Sequence, residues 1–445
     1  MRAMKSPALR YLDARARFGM KFGLETMRAL MEALGHPERA APTLLVAGTN
    51  GKGSVVAYVD RVLRASGRRV GRYTSPHLVR VHERIVVDGR EITPAQLERV
   101  VGAVRRAAER LVRAGRIPAH PTHFETLTAA AFLHFARRRV DVAVLEVGLG
   151  GRLDATNVSE PVASAIVTIA RDHEAQLGAR LGSIAREKAG VLRRGRTTVI
   201  GALPPSARAA VLRAARAARA RVRDVSREGT VRETAGGLEI ATRRRVHRGL
   251  RPLPGAHQAA NLRVALALLE EARDAGVPVD LAAAPAAIAR TEWAGRLQTV
   301  PGRPPLLLDG AHNLEGARAL ARHLRGAPPF VLVFGAMADK DVAGMARHLL
   351  PLARAVVLTR IGQDRAAPTR ALARRIGPLA RGARHEPTVA GALRRARALA
   401  GPEGRVVVAG SLFLVGEVLA TLERESSRGP LTGPPRKREK GSWPR

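Results

Sequence analysis

Residues 43–54 read TLLVAGTNGKGS, a short apolar run that leads directly into a glycine-rich loop. Apolar residues at helical spacing follow the loop, namely Val55, Val59 and Leu63. This order predicts a buried strand, a loop and a helix. Because strands and helices go on alternating along the chain, the sequence predicts an α/β fold with a mainly parallel sheet that is covered on both faces.

The loop in this stretch is a candidate phosphate-binding loop. Glycines let backbone N–H groups approach phosphate oxygens, a lysine can meet the terminal phosphates of a nucleotide, and a hydroxyl can serve Mg²⁺. The pattern departs from the standard P-loop because Gly53 separates Lys52 from Ser54, and a plain glycine-rich turn is the alternative. The candidate phosphate-binding residues are Thr49, Asn50, Gly51, Lys52, Gly53 and Ser54.

Length and composition narrow the class of protein. A chain of 445 residues has room for two or three domains, and its 46% apolar and 26% charged residues are typical of a globular protein. The absence of cysteine excludes disulfides, thiolate metal sites and cysteine nucleophiles. No stretch reaches the ~18 apolar residues of a membrane span, and the first residues lack the apolar part of a secretory signal. We therefore expect a soluble cytoplasmic protein.

The net charge of +38 would ordinarily suggest a nucleic-acid or membrane partner. The charge is spread over the whole chain, however, and the aromatic residues on which single strands stack make up only 3%. We expect neither a specific nucleic-acid partner nor a membrane. Only seven of the 76 basic residues are lysines, and Lys52, Lys188 and Lys340 lie in motifs. Because arginine replaces lysine poorly where a compact charge is needed, these lysines are candidates for function.

Three polar residues near predicted strand ends are candidate metal ligands. Glu146 closes an apolar run, and a carboxylate there could hold Mg²⁺ beside the phosphate loop, with a helix cap as the alternative. Ser75 follows the second strand, where a turn residue is the alternative. His173 could bind a metal, although a lone histidine is more often a structural hydrogen-bonding group.

Two further positions have both a chemical and a structural interpretation. Lys188 lies in a helical pattern. A lysine carboxylated by CO₂ is an oxygen donor that could ligate Mg²⁺, whereas an ordinary lysine there would be a solvated helix residue. Asp309 opens the sequence Asp-Gly-Ala-His-Asn after a later strand. Its carboxylate could accept a hydrogen bond from a ribose or a base, and a tight capped turn is the alternative.

The order of elements predicts two domains and a tail. Residues 1–300 would form the P-loop domain around the mainly parallel sheet. The proline-rich segment 301–305 would act as a linker to a smaller Rossmann-like α/β domain over residues 301–424. Residues 425–445 change to Ser, Gly, Pro and basic residues, which predicts a disordered basic tail.

Several short motifs occur in a fixed order along the chain. They are residues 48–54, 74–78 (TSPHL), 123–125 (HFE), 146–157 (EVGLGGRLDATN), 187–190 (EKAG), 257–258 (HQ), 295–297 (GRL), 309–313 (DGAHN) and 410–417 (GSLFLVGE). In this combination the chain, from about Phe18 to Leu422, resembles the folylpolyglutamate synthase / dihydrofolate synthase family of the Mur ligase superfamily. Phe413 stands where that family commonly has tyrosine.

The resemblance implies an ATP-dependent ligase that adds L-glutamate to dihydropteroate, to a folate, or to both, with the bifunctional enzyme favoured. The substrate carboxylate would take the γ-phosphoryl group of ATP to become an acyl phosphate, which the glutamate amine would then attack. The resemblance also implies a first domain of the Mur ligase central-domain type, closure of the two domains on ATP, two Mg²⁺ sites and a monomer.

The same resemblance assigns roles to residues of this chain. The catalytic residues would be Lys52, Lys188 and His312. One Mg²⁺ would be held by Ser75 and Glu146, and the other by His173 and carboxylated Lys188. ATP would contact Asn261, Arg296 from the first domain and Asp309 from the second. The folate would lie against Phe124, Arg152 and Asp154.

Two alternatives remain open. Another amino-acid ligase of the same superfamily would act on a different carboxylate and would be distinguished only by its substrates. A non-catalytic nucleic-acid binder would show steeply salt-dependent binding and no ATP turnover. The roughly 45 residues before the phosphate loop are too few for the separate UDP-binding domain of the peptidoglycan Mur ligases.

Overall fold

The computed structural model describes residues 6–16 and 23–427. These residues form two compact units. The first unit consists of the chain up to His77 together with Val81–Pro252 and Ala259–Thr291. The second unit consists of Leu78–Arg80, Leu253–Gln258 and the chain from Glu292 onwards. Both units are built from α/β layers, and the predicted fold class is confirmed.

The first unit is built on one large sheet. Its strands in the described residues are β1 (Thr43–Ala47), β2 (Val70–Tyr73), β3 (Ile85–Val87), β4 (Arg90–Glu91), β5 (Val142–Glu146), β6 (Ala163–Ile166), β7 (Thr197–Ile200) and β8 (Arg221–Asp224). They lie in the order β4-β3-β2-β5-β1-β6-β7-β8, and neighbours are parallel except for the pairs that involve β3 and β4. Every residue of β1 is buried because this central strand is covered on both faces.

Helices cover this sheet and follow its strands. Those in the described residues are α1 (Pro7–Ala16), α2 (Glu25–Ala33), α3 (Lys52–Ala65), α4 (Pro94–Arg113), α5 (His123–Arg138), α6 (Glu174–Leu177), α7 (Leu181–Lys188), α8 (Pro205–Ala218), α9 (His257–Asp274) and α10 (Ala284–Ala289). Capping boxes at Thr93 and Thr122 start α4 and α5. The loops that follow the parallel strands all leave from one edge of the sheet, where ligands bind in open α/β sheets.

A second, antiparallel sheet in the first unit was not predicted from the sequence. It contains β9 (Val231–Thr234), β10 (Gly237–Ala241) and β11 (Val246–Leu250). A buried ionic cluster joins it to β8 and α9: Arg223 donates to Glu270 at 2.8 Å and to Glu271 at 3.0 Å, and His247 lies 3.1 Å from Glu270. All of β9 is exposed, so its sequence lacks the alternation that indicates a half-buried strand.

The second unit is built on a six-stranded sheet. The strands described are β12 (Gln298–Val300), β13 (Leu306–Leu308), β14 (Val331–Phe334), β15 (Ala355–Thr359), β16 (Arg384–Glu386) and β17 (Val406–Ala409), in the order β12-β13-β17-β14-β15-β16. The helices are α11 (Leu314–Leu324), α12 (Val342–Leu349), α13 (Thr369–Ile376), α14 (Val389–Ala400) and α15 (Leu412–Ser427). Apolar clusters pack on both faces, as a Rossmann-like arrangement requires.

The segment around residue 300 differs from its prediction. β12 pairs antiparallel with β13, so the prolines of residues 301–305 join two strands of one sheet instead of linking two domains. The second unit accordingly begins at Glu292. Arg296, expected in the first domain, therefore belongs to the second unit.

The end of the described chain is more ordered than the composition predicts. α15 extends to Ser427, so the expected disorder is wrong for residues 425–427. Glu425 lies on this helix and pairs with Arg397 of α14 at 3.0 Å. Residues 428–445 of the predicted tail lie outside the described residues. Within the described chain, no helix is both long enough and apolar enough to cross a membrane.

Candidate active site

The glycine-rich loop turns tightly between the central strand and its helix. β1 ends at Ala47, and α3 begins at Lys52. Gly51 has a φ of +83°, and a Cβ at this position would lie 2.4 Å from Oδ1 of Asn261. Glycine is required here on both grounds, because a side chain would be strained and would collide. Asn261, a predicted ATP contact, thus lies directly against the loop.

Residues that follow β6 hold this loop in place. The Thr49 N–H donates to the Thr168 carbonyl at 2.8 Å, and the Asn50 N–H donates to Oγ1 of Thr168 at 2.9 Å. The Thr49 hydroxyl also receives the Ala170 N–H at 3.0 Å. Sequence reasoning missed Thr168 and Ala170. Their position at the carboxyl end of a strand that neighbours β1 was the available signal, because parallel neighbours end at the same sheet edge.

Two lysines that are distant in sequence meet at one carbonyl of the loop. Nζ of Lys52 donates to the carbonyls of Gly48 at 3.1 Å and Thr49 at 3.3 Å. Nζ of Lys188 donates to the same Gly48 oxygen at 3.0 Å, from a position 140 residues further along. Lys188 is only 5% exposed. Burial, with the positive charge of Lys52 adding to it, lowers the pKa of Lys188 to about 7.

The predicted pair of Ser75 and Glu146 also comes together beside the loop. Glu146 is the last residue of β5 and is the register partner of Val46 in β1. Its Oε2 accepts a hydrogen bond from the Ser75 N–H at 3.1 Å, and the residue is buried. Glu146 is therefore held beside Val46, which precedes the first loop residue by two positions, and Ser75 is bonded to Glu146 there.

His173 lies in a left-handed turn next to a buried acid. Its φ is +53°, and its side chain is 38% exposed. The Asp172 carboxylate accepts the His173 N–H at 2.9 Å and lies 3.9 Å from Nε2 of the ring. Asp172 also acts electrostatically on Lys188. The sequence did not single out Asp172 as a candidate, although its charge acts on Lys188.

The three predicted substrate residues differ in their surroundings. Phe124 packs against Tyr73 with ring centroids 6.0 Å apart, and a Cβ at Gly148 would lie 2.6 Å from the Phe124 ring. Asp154 is buried and accepts hydrogen bonds from the N–H groups of Leu149 and Thr156. Burial raises the pKa of Asp154.

The Arg152 side chain is 57% exposed, and it pairs with Glu187 at 3.0 Å. The half-buried Phe124 therefore packs against the loop 148–154, Asp154 is buried within that loop, and Arg152 is exposed on it.

A buried arginine next to this wall was missed from the sequence. Arg84 is 8% exposed, and its Nε donates to Nδ1 of His77 at 2.9 Å. Burial, together with the Arg84 charge, lowers the pKa of His77 to about 4. Burial also raises the pKa of Tyr73 to about 12, while Thr128 donates to the Tyr73 hydroxyl at 3.1 Å. Arg84 was hidden because arginine is the commonest charged residue of the chain.

The predicted residues of the second unit gather around the turn that follows β13. Asp309 is buried and accepts the N–H groups of Leu297 and Ala311, each at 2.9 Å. Arg296 lies close to the same turn, since a Cβ at Gly310 would be 2.5 Å from its Nη1. The Nδ1–H of His312 donates to the Gly310 carbonyl at 2.8 Å. Arg296, Asp309 and His312 are therefore brought together within one unit.

A glycine-rich loop on a central parallel strand, followed by a second unit of Rossmann type, defines the class of the Mur ligases. Residues 295–412 match the family described as "Mur ligase, glutamate ligase domain". The chain belongs to the folylpolyglutamate synthase / dihydrofolate synthase family. This membership confirms the resemblance inferred from the motifs.

Two relatives illustrate the similarity. The chain is 32% identical over 426 residues to the dihydrofolate synthase/folylpolyglutamate synthase of Escherichia coli, covering 95% of this chain and 96% of that protein. It is 36% identical over 433 residues to a probable bifunctional folylpolyglutamate synthase/dihydropteroate synthase of Haloferax volcanii, covering 94% of this chain and 50% of that protein. The chain thus spans about half the length of this relative and of its Halobacterium salinarum counterpart.

Solved structures show the same fold. E. coli FolC in complex with DHPP and ADP superposes with a TM-score of 0.85 at 31% identity, covering 95% of this chain and 99% of that one. The bifunctional enzyme of Yersinia pestis complexed with AMPPNP and Mn ion superposes with a TM-score of 0.82 at 33% identity, covering 94% and 98%.

Proposed function

We propose that this protein is an ATP-dependent ligase that adds L-glutamate to dihydropteroate, to folates, or to both, with the bifunctional activity favoured. The observation that carries the proposal is the convergence of Lys52, Lys188 and Glu146 at the loop after β1. Related proteins support it, because the E. coli structure contains DHPP and ADP and the Y. pestis structure contains AMPPNP and Mn.

The loop would hold the phosphates of ATP. α3 begins at Lys52, so the N–H groups of its first turn lie at the loop and carry partial positive charge. Lys52 would exchange its bonds to the Gly48 and Thr49 carbonyls for bonds to phosphate oxygens. A lysine and a helix N-terminus placed in advance stabilise the charge of a phosphoryl group during transfer.

Two Mg²⁺ ions would be held by residues predicted from the motifs. Ser75 and Glu146 offer hard oxygen donors, and Mg²⁺ is usually held by one or two carboxylates, with water and phosphate completing its shell. His173 and carboxylated Lys188 would hold the second ion. Carboxylation requires a neutral amine, and the lowered pKa of Lys188 supplies one near neutral pH. When bound, Mg²⁺ would neutralise part of the charge on the phosphates.

The chemistry would proceed by positioning. The substrate carboxylate would attack the γ-phosphorus of ATP, with ADP leaving, and the glutamate amine would then displace phosphate from the acyl phosphate. The folate would lie against Phe124, Arg152 and Asp154. Asp154 already accepts two backbone N–H groups. We therefore propose that it maintains the conformation of the loop 148–154 as well as contacting the substrate.

Each unit would contribute its own nucleotide contacts. In the first unit, Asn261 lies against Gly51 and would contact ATP beside the phosphate loop. In the second unit, Arg296 and Asp309 would contact ATP, and His312 would serve the phosphate or the glutamate. The first unit, which carries the phosphate loop, would be the ATP-binding domain.

We further propose that the enzyme works in the cytoplasm as a monomer on small molecules, and the absence of cysteine is consistent with that compartment.

Mass spectrometry of reaction products tests the proposed function. Purified protein is incubated with Mg-ATP, L-glutamate and, in separate tubes, dihydropteroate or tetrahydrofolate. One added glutamyl residue in both tubes is the expected result, and a gain in one tube alone assigns the single activity. No gain in either tube from a folded protein that binds ATP would reject folate as the substrate and favour a ligase for another carboxylate.

A further inference from the structure

A basic cavity lies on the first unit at the ends of β7 and β8. Its volume is about 470 Å³, within the range of small-molecule sites. It opens between the start of α8 and the turn after β8. The residues that line it are Leu203, Pro205, Arg208, Ala209, Leu212, Arg213, Arg216, Ser226 and Arg227. None of them belongs to the motifs or to the site described above.

The periodicity of α8 explains why arginines meet there. The buried residues of this helix are Ala207, Ala210, Val211 and Ala215. The opposite side carries Arg208, Leu212 and Arg216 at intervals of four, with Ala209 and Arg213 beside them, and such residues share one helix face. The alanine face packs into the core, so the arginine face is left to form one wall of the cavity.

The charges around the cavity are unbalanced. Four of the residues that line it are arginines, and the carboxylate of Asp224 pairs with two of them, Arg208 and Arg227. Arg208 donates to Asp224 at 2.6 Å, and Arg227 lies 3.7 Å from the same oxygen. Arg213 and Arg216 are exposed, and their side chains form no hydrogen bond or ion pair within the residues that the structure describes. Their guanidinium N–H groups are therefore available to bind a negatively charged ligand.

The lining also indicates the kind of anion. Guanidinium groups bind phosphate and carboxylate groups through paired hydrogen bonds. Leu203, Pro205 and Leu212 add an apolar surface between the arginines, which a bare inorganic ion would not use. We propose that this cavity binds a small organic molecule that carries at least two negative charges and an apolar body. The proposal does not depend on the ligase activity.

Isothermal titration calorimetry tests this site while the nucleotide site is filled. The protein is saturated with AMPPNP and Mg²⁺ and titrated in separate runs with AMP, an organic phosphate, and with citrate, a tricarboxylate. The test variant is Arg213→Gln/Arg216→Gln, and the control is Arg106→Gln/Arg110→Gln, which removes the same charge from the exposed side of α4. Hydrogen exchange over residues 203–216 and 225–227 locates the binding.

We expect one additional site that the test variant weakens by about tenfold or more and the control leaves unchanged. Tighter binding of AMP would support an anion with an apolar body, whereas equal or tighter binding of citrate, which has no apolar body, would overturn the role of Leu203, Pro205 and Leu212. Equal losses in both variants would overturn the proposal, because the binding would then reflect net charge alone. Absence of binding for both probes, or protection elsewhere in the chain, would overturn it as well.

Discussion

Two loops that follow parallel strands of the two large sheets, β1 and β13, are held in different ways. In the loop after β1, Gly48 accepts a hydrogen bond from Lys188, and Asn50 is bonded to Thr168, so distant segments supply the contacts. In the turn after β13, Asp309 accepts the Ala311 N–H and His312 donates to the Gly310 carbonyl. The first loop is held by side chains from distant segments, whereas the second combines side-chain bonds within the turn and to Leu297 with backbone bonds to Gly295, Val408 and Gly410.

This difference bears on how each loop could work. Lys52 and Lys188 both place Nζ on one carbonyl oxygen, and the positive charge of Lys52 favours the arrival of a negatively charged ligand. The turn at Asp309 already satisfies its carboxylate with two backbone N–H groups. We therefore expect substitutions in the first loop to affect turnover most and those in the second to affect nucleotide affinity and stability.

The largest effect is expected for Lys52→Met. Removing the charge at the loop should reduce turnover by about 10³-fold, as for other groups that stabilise transition-state charge. Product formation measured by mass spectrometry checks this. Arg61→Met on the same helix is the control, since Arg61 lies outside the loop. A Lys52 variant with turnover close to that of the control would show that the loop does not bind the reacting phosphate.

Lys188→Ala tests the role of the hydrogen bond that Lys188, which is distant in sequence, donates to the same loop. We expect a loss of about 10²-fold, with partial recovery in formate or acetate, because a small carboxylate could replace the carboxylated side chain. Arg186→Ala in the same helix is the control, being exposed. Loss of activity without recovery would favour an ordinary ammonium at Lys188, and full activity would remove this residue from the mechanism.

Asp309→Asn tests the turn of the second unit. The amide can replace only one of the two accepting oxygens, so one backbone N–H loses its partner at a cost of about 1–3 kcal/mol. We expect the KM for ATP to rise about tenfold, with a lower Tm and a smaller change in kcat. Asp339→Asn, an exposed acid of the same unit, is the control. A large fall in kcat at unchanged KM would contradict the comparison of the two loops.

Acid should lower the free energy of unfolding through the buried His134. Burial holds the pKa of His134 in α5 at about 4, below its ordinary 6.5. Because the unfolded chain then binds the proton more readily, His134 lowers stability progressively as pH falls from 6.5 towards 4. His134→Gln should recover on the order of 1 kcal/mol at pH 4.5. Urea unfolding at pH 7 and 4.5 measures this. The exposed His385→Gln should behave like the unchanged protein, and equal behaviour of both variants would reject the assignment.

The smallest effect is expected from deletion of residues 428–445. No motif of the family lies in this segment, so turnover should change by less than about twofold, as for a change away from the site. Steady-state kinetics of the shortened chain check this. A collapse in turnover would show that the basic segment takes part in catalysis.

The sequence predicted the class of fold and much of the candidate site. Gly51 and Lys52 stand in a local pattern of strand, loop and helix, and such patterns depend on neighbouring residues. The three-stranded sheet was missed because every residue of β9 is exposed, and the position of the sheet depends on buried partners such as Glu270 and Arg223. The role of residues 301–305 was misjudged because proline marks both linkers and turns between strands.

The amino-acid sequence by itself determined that this chain forms α/β layers, carries a glycine-rich loop after a buried strand and belongs with a family of ligases. Only the tertiary structure decided that Lys188 and Thr168 meet the loop, that Arg84 is buried beside His77, and that Arg296 shares a unit with Asp309. The physical reason is that parallel strands bring residues far apart in sequence to one sheet edge, while local patterns describe only neighbours.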